Sequence, residues 1–164
     1  MIPLAYLITF RCYGTWLHGD ARGSSDRCGH NVYGMPGIAP TPALEKADAA
    51  RLRHAPVLLD AARRDAIEAA IREVCASRSF RLYAINVRTN HVHAVTAAAC
   101  RPERVMNDFK SYSTRKLRQR DLLPEGFKLW SRHGSTRYLW KPRHVEAATN
   151  YVLYGQGDEL PTFD

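Results

Sequence analysis

The chain has 164 residues, 45% of them hydrophobic and 24% charged, with a formal net charge of +8 at pH 7. That length can bury a core without disulfides or a structural metal, and no apolar run is long enough to mark a transmembrane helix. Arg101 to His144 carries 12 Lys and Arg against four acidic residues, while the rest of the chain carries 12 of each. All the net charge therefore comes from one contiguous stretch. Such concentration favours a polyanion, because neutralised phosphates release condensed counterions; a solvated basic helix is the other reading.

Residues 3–11 (PLAYLITFR) alternate, with Leu4, Tyr6, Ile8 and Phe10 on one face and Ala5, Leu7 and Thr9 on the other. They predict a strand buried on at least one side. The N-terminus lacks a basic leader and a small-residue cleavage site, so it reads as this strand and not as a signal peptide. Four scattered cysteines (Cys12, Cys28, Cys75, Cys100) include no CxxC pair and read as reduced thiols in a cytoplasm. Residues 13–57 are rich in Gly, Pro, Asp and His with no steady period, a long irregular loop of the kind that is functional or mobile.

Asp60 can cap a helix to about Ser77, with Ala66, Ile67, Ala70, Ile71 and Val74 at helical spacing. Phe80–Arg88 alternates, placing Tyr83, Ile85 and Val87 on one face. Thr89-Asn90 makes a tight turn, and residues 91–98 return as a hairpin strand. A second helix runs from Pro102 to about Gln119, with Val105, Met106, Phe109, Tyr112 and Leu117 as its apolar stripe. Residues 127–140 read as an aromatic-rich strand or strand pair. Pro142 opens a last helix that ends near Tyr154, before Gly155. This order predicts one α+β domain over 1–164, with helices packed on an antiparallel sheet as in ferredoxin and RNA-recognition folds.

His91-Val92-His93 is the sharpest chemical feature. Alternation places both imidazoles on one strand face with their Cα atoms about 7 Å apart. Two such histidines can share a divalent metal and leave positions open for substrate oxygens; alternatively, one is satisfied in the core and the other solvated. A nucleophile is available on the last helix. With Val145, Ala148 and Val152 as its apolar face, Tyr151 falls at the edge on the side of His144, and Tyr154 falls almost opposite. Tyr112 lies within the apolar stripe of its own helix and reads as core.

These residues resemble the single-tyrosine HUH transposases of the IS200/IS605 group, and more closely the REP-associated tyrosine transposases. The similar segments are Asn90-His91-Val92-His93-Ala94-Val95, Phe109-Lys110-Ser111, Leu139-Trp140-Lys141-Pro142-Arg143 and the tail Tyr151-Val152-Leu153-Tyr154-Gly155-Gln156-Gly157. The opening Tyr13-Gly14-Thr15-Trp16-Leu17-His18-Gly19-Asp20 also fits. The resemblance implies the HUH endonuclease fold, Mg2+ or Mn2+ bound by His91 and His93, Tyr151 as nucleophile and a homodimer. In that group a glutamine one helical turn after the tyrosine completes the metal site. Here Gly155 occupies that position and Gln156 follows it, so Gln156 is the candidate third ligand, with an Asp or water in its place as the alternative. Asp20 is either a metal-site group or a turn cap.

The implied reaction is metal-dependent nicking and rejoining of single-stranded or hairpin DNA through a 5′-phosphotyrosine, the chemistry of a DNA transposase. Basic and aromatic residues alternate at Lys128, Trp130, Arg132, His133, Arg137, Tyr138 and Trp140, which suits backbone tracking and base stacking. Core packing is the other reading of Trp130 and Trp140. Lys110, Arg115, Lys116 and Arg118 are suited to phosphate. Other readings are an HUH replication initiator or relaxase, and a catalytically silent nucleic-acid-binding module. A histidine-triad hydrolase wants a third histidine where Val95 stands. Zinc binding by Cys12, His18, Cys28 and His30 matches no strong ligand spacing.

Overall fold

A computed structural model describes residues 2–15 and 41–155. The elements run β1 (Ala5–Arg11), α1 (Pro42–Ala50), α2 (Ala61–Arg78), β2 (Arg81–Val87), β3 (His91–Ala97), α3 (Pro102–Gln119), β4 (Ser135–Leu139) and α4 (Pro142–Tyr154). The strands form one antiparallel sheet in the order β2-β3-β1-β4. This is the α+β architecture that the alternation of patterns predicts.

Both faces of the central strands are covered. Tyr6, Ile8 and Phe10 of β1 and Val92 and Ala94 of β3 join the core built with α2 and α3. Ala5, Leu7 and Val95 pack with Ala148 and Val152 of α4 on the opposite face. Double coverage explains why β1 is apolar at nearly every position. It also fixes orientation: odd-numbered residues of β1 and β3 face α4, and even-numbered ones face α2 and α3.

The helix boundaries follow local chemistry. The Asp60 carboxylate accepts the Arg63 backbone N–H at 2.9 Å, as a capping aspartate should. Ser79 ends α2 in the left-handed region, at φ 58°. Helices α3 and α4 each carry Pro in the first turn, where its missing N–H costs nothing.

The structure corrects three expectations. The irregular stretch 13–57 contains the nine-residue helix α1; most of its side chains are exposed, so it has no apolar stripe to betray it. Tyr83, Ile85 and Val87 do not share a face. A register shift between Leu82 and Ala84 puts Tyr83 with the α4-side cluster and leaves Ile85 and Val87 on the α2–α3 side. In the aromatic segment 127–140, β4 alone is a ladder strand, and Trp130 makes an isolated bridge to Cys12.

Between Trp130 and β4, the chain turns through His133, at φ 63°, and Gly134. A Cβ on Gly134 would lie 2.5 Å from the Thr9 carbonyl oxygen and 2.6 Å from the Met106 sulfur. Only glycine fits there without backbone movement. Among the described residues no helix is long and apolar enough to cross a membrane, and Cys12, Cys75 and Cys100 carry free thiols.

Candidate active site

The α4-facing side of β1 and β3 brings the chemical groups together. His91 lies across from Arg11 and His93 across from Thr9 in the β1–β3 ladder. The imidazole centroids are 4.7 Å apart and nearly perpendicular. Each ring is held through Nδ1: that of His91 lies 2.6 Å from Asn90 Oδ1, and that of His93 lies 2.8 Å from Thr9 Oγ1. When Nδ1–H donates to these oxygens, the lone pair of each ring is on Nε2, the arrangement that orients a histidine toward a metal.

Burial, reinforced by His91 and Arg88, pushes the His93 pKa down to about 3. The ring is therefore neutral at physiological pH, which is the form a cation requires. Two imidazoles on one strand, each held through Nδ1, fit a divalent ion as part of its ligand set. Among the described residues no group of three His, Cys, Asp or Glu side chains could hold a metal. Gln156, Asp20, His18, Cys28 and His30 lie outside the described residues; the expected third ligand falls there, as do all members of the zinc alternative except the buried Cys12.

Helix α4 carries the tyrosine. His144, Ala148 and Val152 form its buried stripe, and half-buried Tyr151 packs at the margin of the α4-side cluster. The Tyr151 ring centroid is 5.7 Å from that of His93, at 79°. Tyr154 is 83% exposed and points away from the packed stripe. Tyr112 belongs to α3, beyond the sheet, with the Arg115 guanidinium 5.1 Å from its ring centre. Of the three tyrosines, Tyr151 is the one that meets the histidines.

Most of the predicted phosphate contacts belong to the other side of the sheet. Lys110, Ser111, Thr114, Arg115, Arg118 and Gln119 line a groove of about 470 Å³ along α3. Arg115 and Arg118 are exposed there. Lys116 pairs with Glu73 of α2 at 2.7 Å. The Lys110 ammonium donates to the carbonyls of Ser131, at 3.0 Å, and His133. Burial, with Lys128 and Arg11 nearby, pushes its pKa down to about 8.

Lys128 and Arg132 are exposed, in the segment that leads round the end of the sheet to β4. Arg137 pairs with Leu7 and so lies on the same face as the histidines. Trp130 is buried, with Nε1 donating to the Lys110 carbonyl at 3.1 Å. Tyr138 and Trp140 are exposed and stacked, with ring centres 5.8 Å apart.

Sequence reasoning missed Arg11, Thr9, Asn86 and Asn90. The signal was present. Thr9 and Arg11 are the polar members of an otherwise apolar strand, and a two-residue turn at Thr89-Asn90 pairs residue 86 with residue 93, as observed.

An IS200-like transposase family model matches residues 52–149, more than half of the chain and all of the sheet except β1. The chain belongs to the IS200-like transposase family. Among solved structures, one described as a REP-associated tyrosine transposase bound to a REP hairpin is similar in fold, with TM-score 0.53 and 10% identity, covering 96% of this chain and 68% of that one. A crystal structure assigned as a transposase from Deinococcus radiodurans R1 is similar too, with TM-score 0.51 and 14% identity, covering 97% and 95%. No curated protein sequence matches the chain.

Proposed function

We propose that this transposase nicks and rejoins single-stranded DNA through Tyr151, with His91 and His93 holding Mg2+ or Mn2+. The carrying observation is the convergence of β3 and α4: the His93 ring lies 4.7 Å from that of His91 and 5.7 Å from that of Tyr151. Tyr151 Oη attacks the scissile phosphorus and gives up its proton, the P–O3′ bond breaks, and the departing 3′ oxygen takes a proton. The 5′ side stays on the protein as a phosphotyrosine, which conserves the phosphodiester energy, so a 3′-OH from a second DNA end rejoins without ATP. A bound cation would polarise the phosphate and offset charge in the transition state. Free tyrosine has a pKa near 10 and is a weak nucleophile at neutral pH, so a cation held beside it would also serve to activate it.

The third ligand in this reading is Gln156. Hairpin DNA is the partner, a reading supported by the hairpin-bound relative in fold. Arg115 and Arg118 contact stem phosphates in the α3 groove, where Lys110 and Lys116 complete the positive face. Lys128 and Arg132 follow the strand toward the site, and Arg137 meets it there. The active form is a cytoplasmic homodimer of a domain that spans 1–164.

The test is a covalent-adduct assay with labelled single-stranded DNA containing a hairpin, in Mn2+, Mg2+ or EDTA. A metal-dependent, denaturant-resistant adduct that is lost in Tyr151→Phe supports the reading. An adduct that survives in Tyr151→Phe moves the nucleophile to Tyr154 or Tyr112. Tight DNA binding with no adduct on any strand identifies a silent binding module.

A further inference from the structure

Asn86 is the cross-strand partner of His93 in the β2–β3 ladder. Its side-chain Nδ2 donates to the Val152 carbonyl at 2.9 Å, linking positions 66 residues apart. Val152 follows Tyr151 directly and belongs to the last turn of α4, where backbone carbonyls run out of intrahelical partners. The Tyr151 carbonyl accepts from the Gly155 N–H at 2.9 Å, whereas the Val152 carbonyl reaches across to the sheet. One rung of the ladder thus holds both a candidate metal ligand and the attachment point of the tyrosine helix.

Apolar packing also holds this end of α4. Ala148 and Val152 bury apolar surface against the sheet, and such burial resists separation but is non-directional. It opposes rotation or sliding of the helix weakly. Leu153 and Tyr154 are 42% and 83% exposed and add little anchorage. The Asn86 bond is directional and attaches one residue from the tyrosine.

We propose that Asn86 is a positioning residue that fixes the rotation and height of α4, so that the Tyr151 ring stays beside His93. This rests on the reading of Tyr151 as the nucleophile. Ground-state binding of DNA uses other surfaces, so loss of the bond acts on the chemical step and not on affinity. Displacement of a reacting group by a fraction of an ångström, with loss of one neutral hydrogen bond, corresponds to a drop of about tenfold in the rate of attack.

The experiment compares full-length wild type, Asn86→Ala and Asn86→Gln in four measurements: single-turnover adduct formation, DNA affinity, melting temperature, and hydrogen exchange of the α4 amides. Asn86→Leu, which keeps the volume, replaces the alanine variant if that chain does not fold. Adduct formation should fall about tenfold in Asn86→Ala while DNA affinity stays within about twofold, and Asn86→Gln, which keeps the donor, should recover most of the rate. Exchange at the end of α4 should quicken in Asn86→Ala and return toward wild type in Asn86→Gln. A wild-type rate in Asn86→Ala with unchanged α4 exchange overturns the proposal. So does a parallel loss of rate, DNA affinity and melting temperature, which marks general damage. If wild type itself forms no adduct, the chemical reading fails, and the exchange data still decide whether Asn86 holds α4.

Discussion

Thr9 and His93 face each other across β1 and β3, and the Thr9 hydroxyl oxygen lies 2.8 Å from Nδ1 of His93. A threonine in the middle of a buried strand contributes β-branched packing; here its oxygen also holds the His93 ring through Nδ1. Outer partners of metal-bound histidines typically contribute about 10- to 100-fold in affinity. Thr9→Val keeps the shape and removes the oxygen, so it should weaken Mn2+ binding by about that factor, as read by calorimetric titration. Unchanged affinity would show that His93 is not oriented in this way.

The tyrosine and the histidines that meet in this structure belong to the same chain, since the Tyr151 ring packs 5.7 Å from His93 of its own sheet. Mixing Tyr151→Phe protein with a His91→Ala, His93→Ala double variant should therefore recover no adduct. Recovery toward one active site per mixed dimer would mean that helices are exchanged between subunits in the working enzyme. The readout is covalent DNA adduct after co-refolding of the two variants.

Charged residues on α3 should divide by role. Lys110 donates to the Ser131 and His133 carbonyls, which hold the turn leading to Gly134 and β4. Lys110→Met leaves those carbonyls without this donor and should cost about 1–3 kcal/mol in urea denaturation. Arg118 is exposed in the groove. Arg118→Gln should leave stability unchanged and lower the slope of log affinity against log salt by about one, the signature of a lost phosphate contact. The slope in Lys110→Met should change less than in Arg118→Gln, because the Lys110 ammonium lines the groove but is held by the Ser131 and His133 carbonyls.

Two buried thiols make the fold sensitive to alkali. Burial pushes the Cys12 pKa up to about 12 and that of Cys75 up to about 11, from an ordinary value of 9.0. Between 9.0 and those values, the folded chain keeps protons that the unfolded chain releases, so stability falls as pH rises. Below the ordinary value both states are protonated and this contribution is complete. In reducing buffer, the melting temperature should drop more steeply from neutral pH to pH of about 10 in wild type than in Cys75→Ala. Equal slopes would mean that Cys75 does not titrate as its burial requires.

Much of the architecture was legible because the decisive patterns are local. Helix α3 spans Pro102–Gln119 and α4 spans Pro142–Tyr154, as Pro at the start and a lost apolar stripe at the end indicate. Alternation in PLAYLITFR located β1, and the Thr89-Asn90 turn located the hairpin. The shift at Leu82/Ala84 was not legible, because one extra residue in a strand leaves composition unchanged while reversing the faces before it. Nor was the fate of the tryptophans. Trp130 is buried because Phe10 meets its ring edge-on at 4.7 Å, a contact 120 positions away in the chain, while Trp140 lies exposed beyond the end of edge strand β4. Candidate-site residues His91, His93 and Tyr151 could be read from spacing. Asn86 and Thr9 required the register of the assembled sheet.

The sheet that buries both sets of helices is also a partition. In the proposed reading, the α3 groove and the pair His93 and Tyr151 are on opposite sides of it, so a bound stem and an open nick occupy separate compartments. The 5′ end is restrained by a covalent bond on one side while the folded stem is gripped by charge on the other. Releasing the stem need not free the broken strand, and resealing the strand need not dislodge the stem. High salt should then strip the protein from uncut hairpin while leaving the nicked intermediate attached.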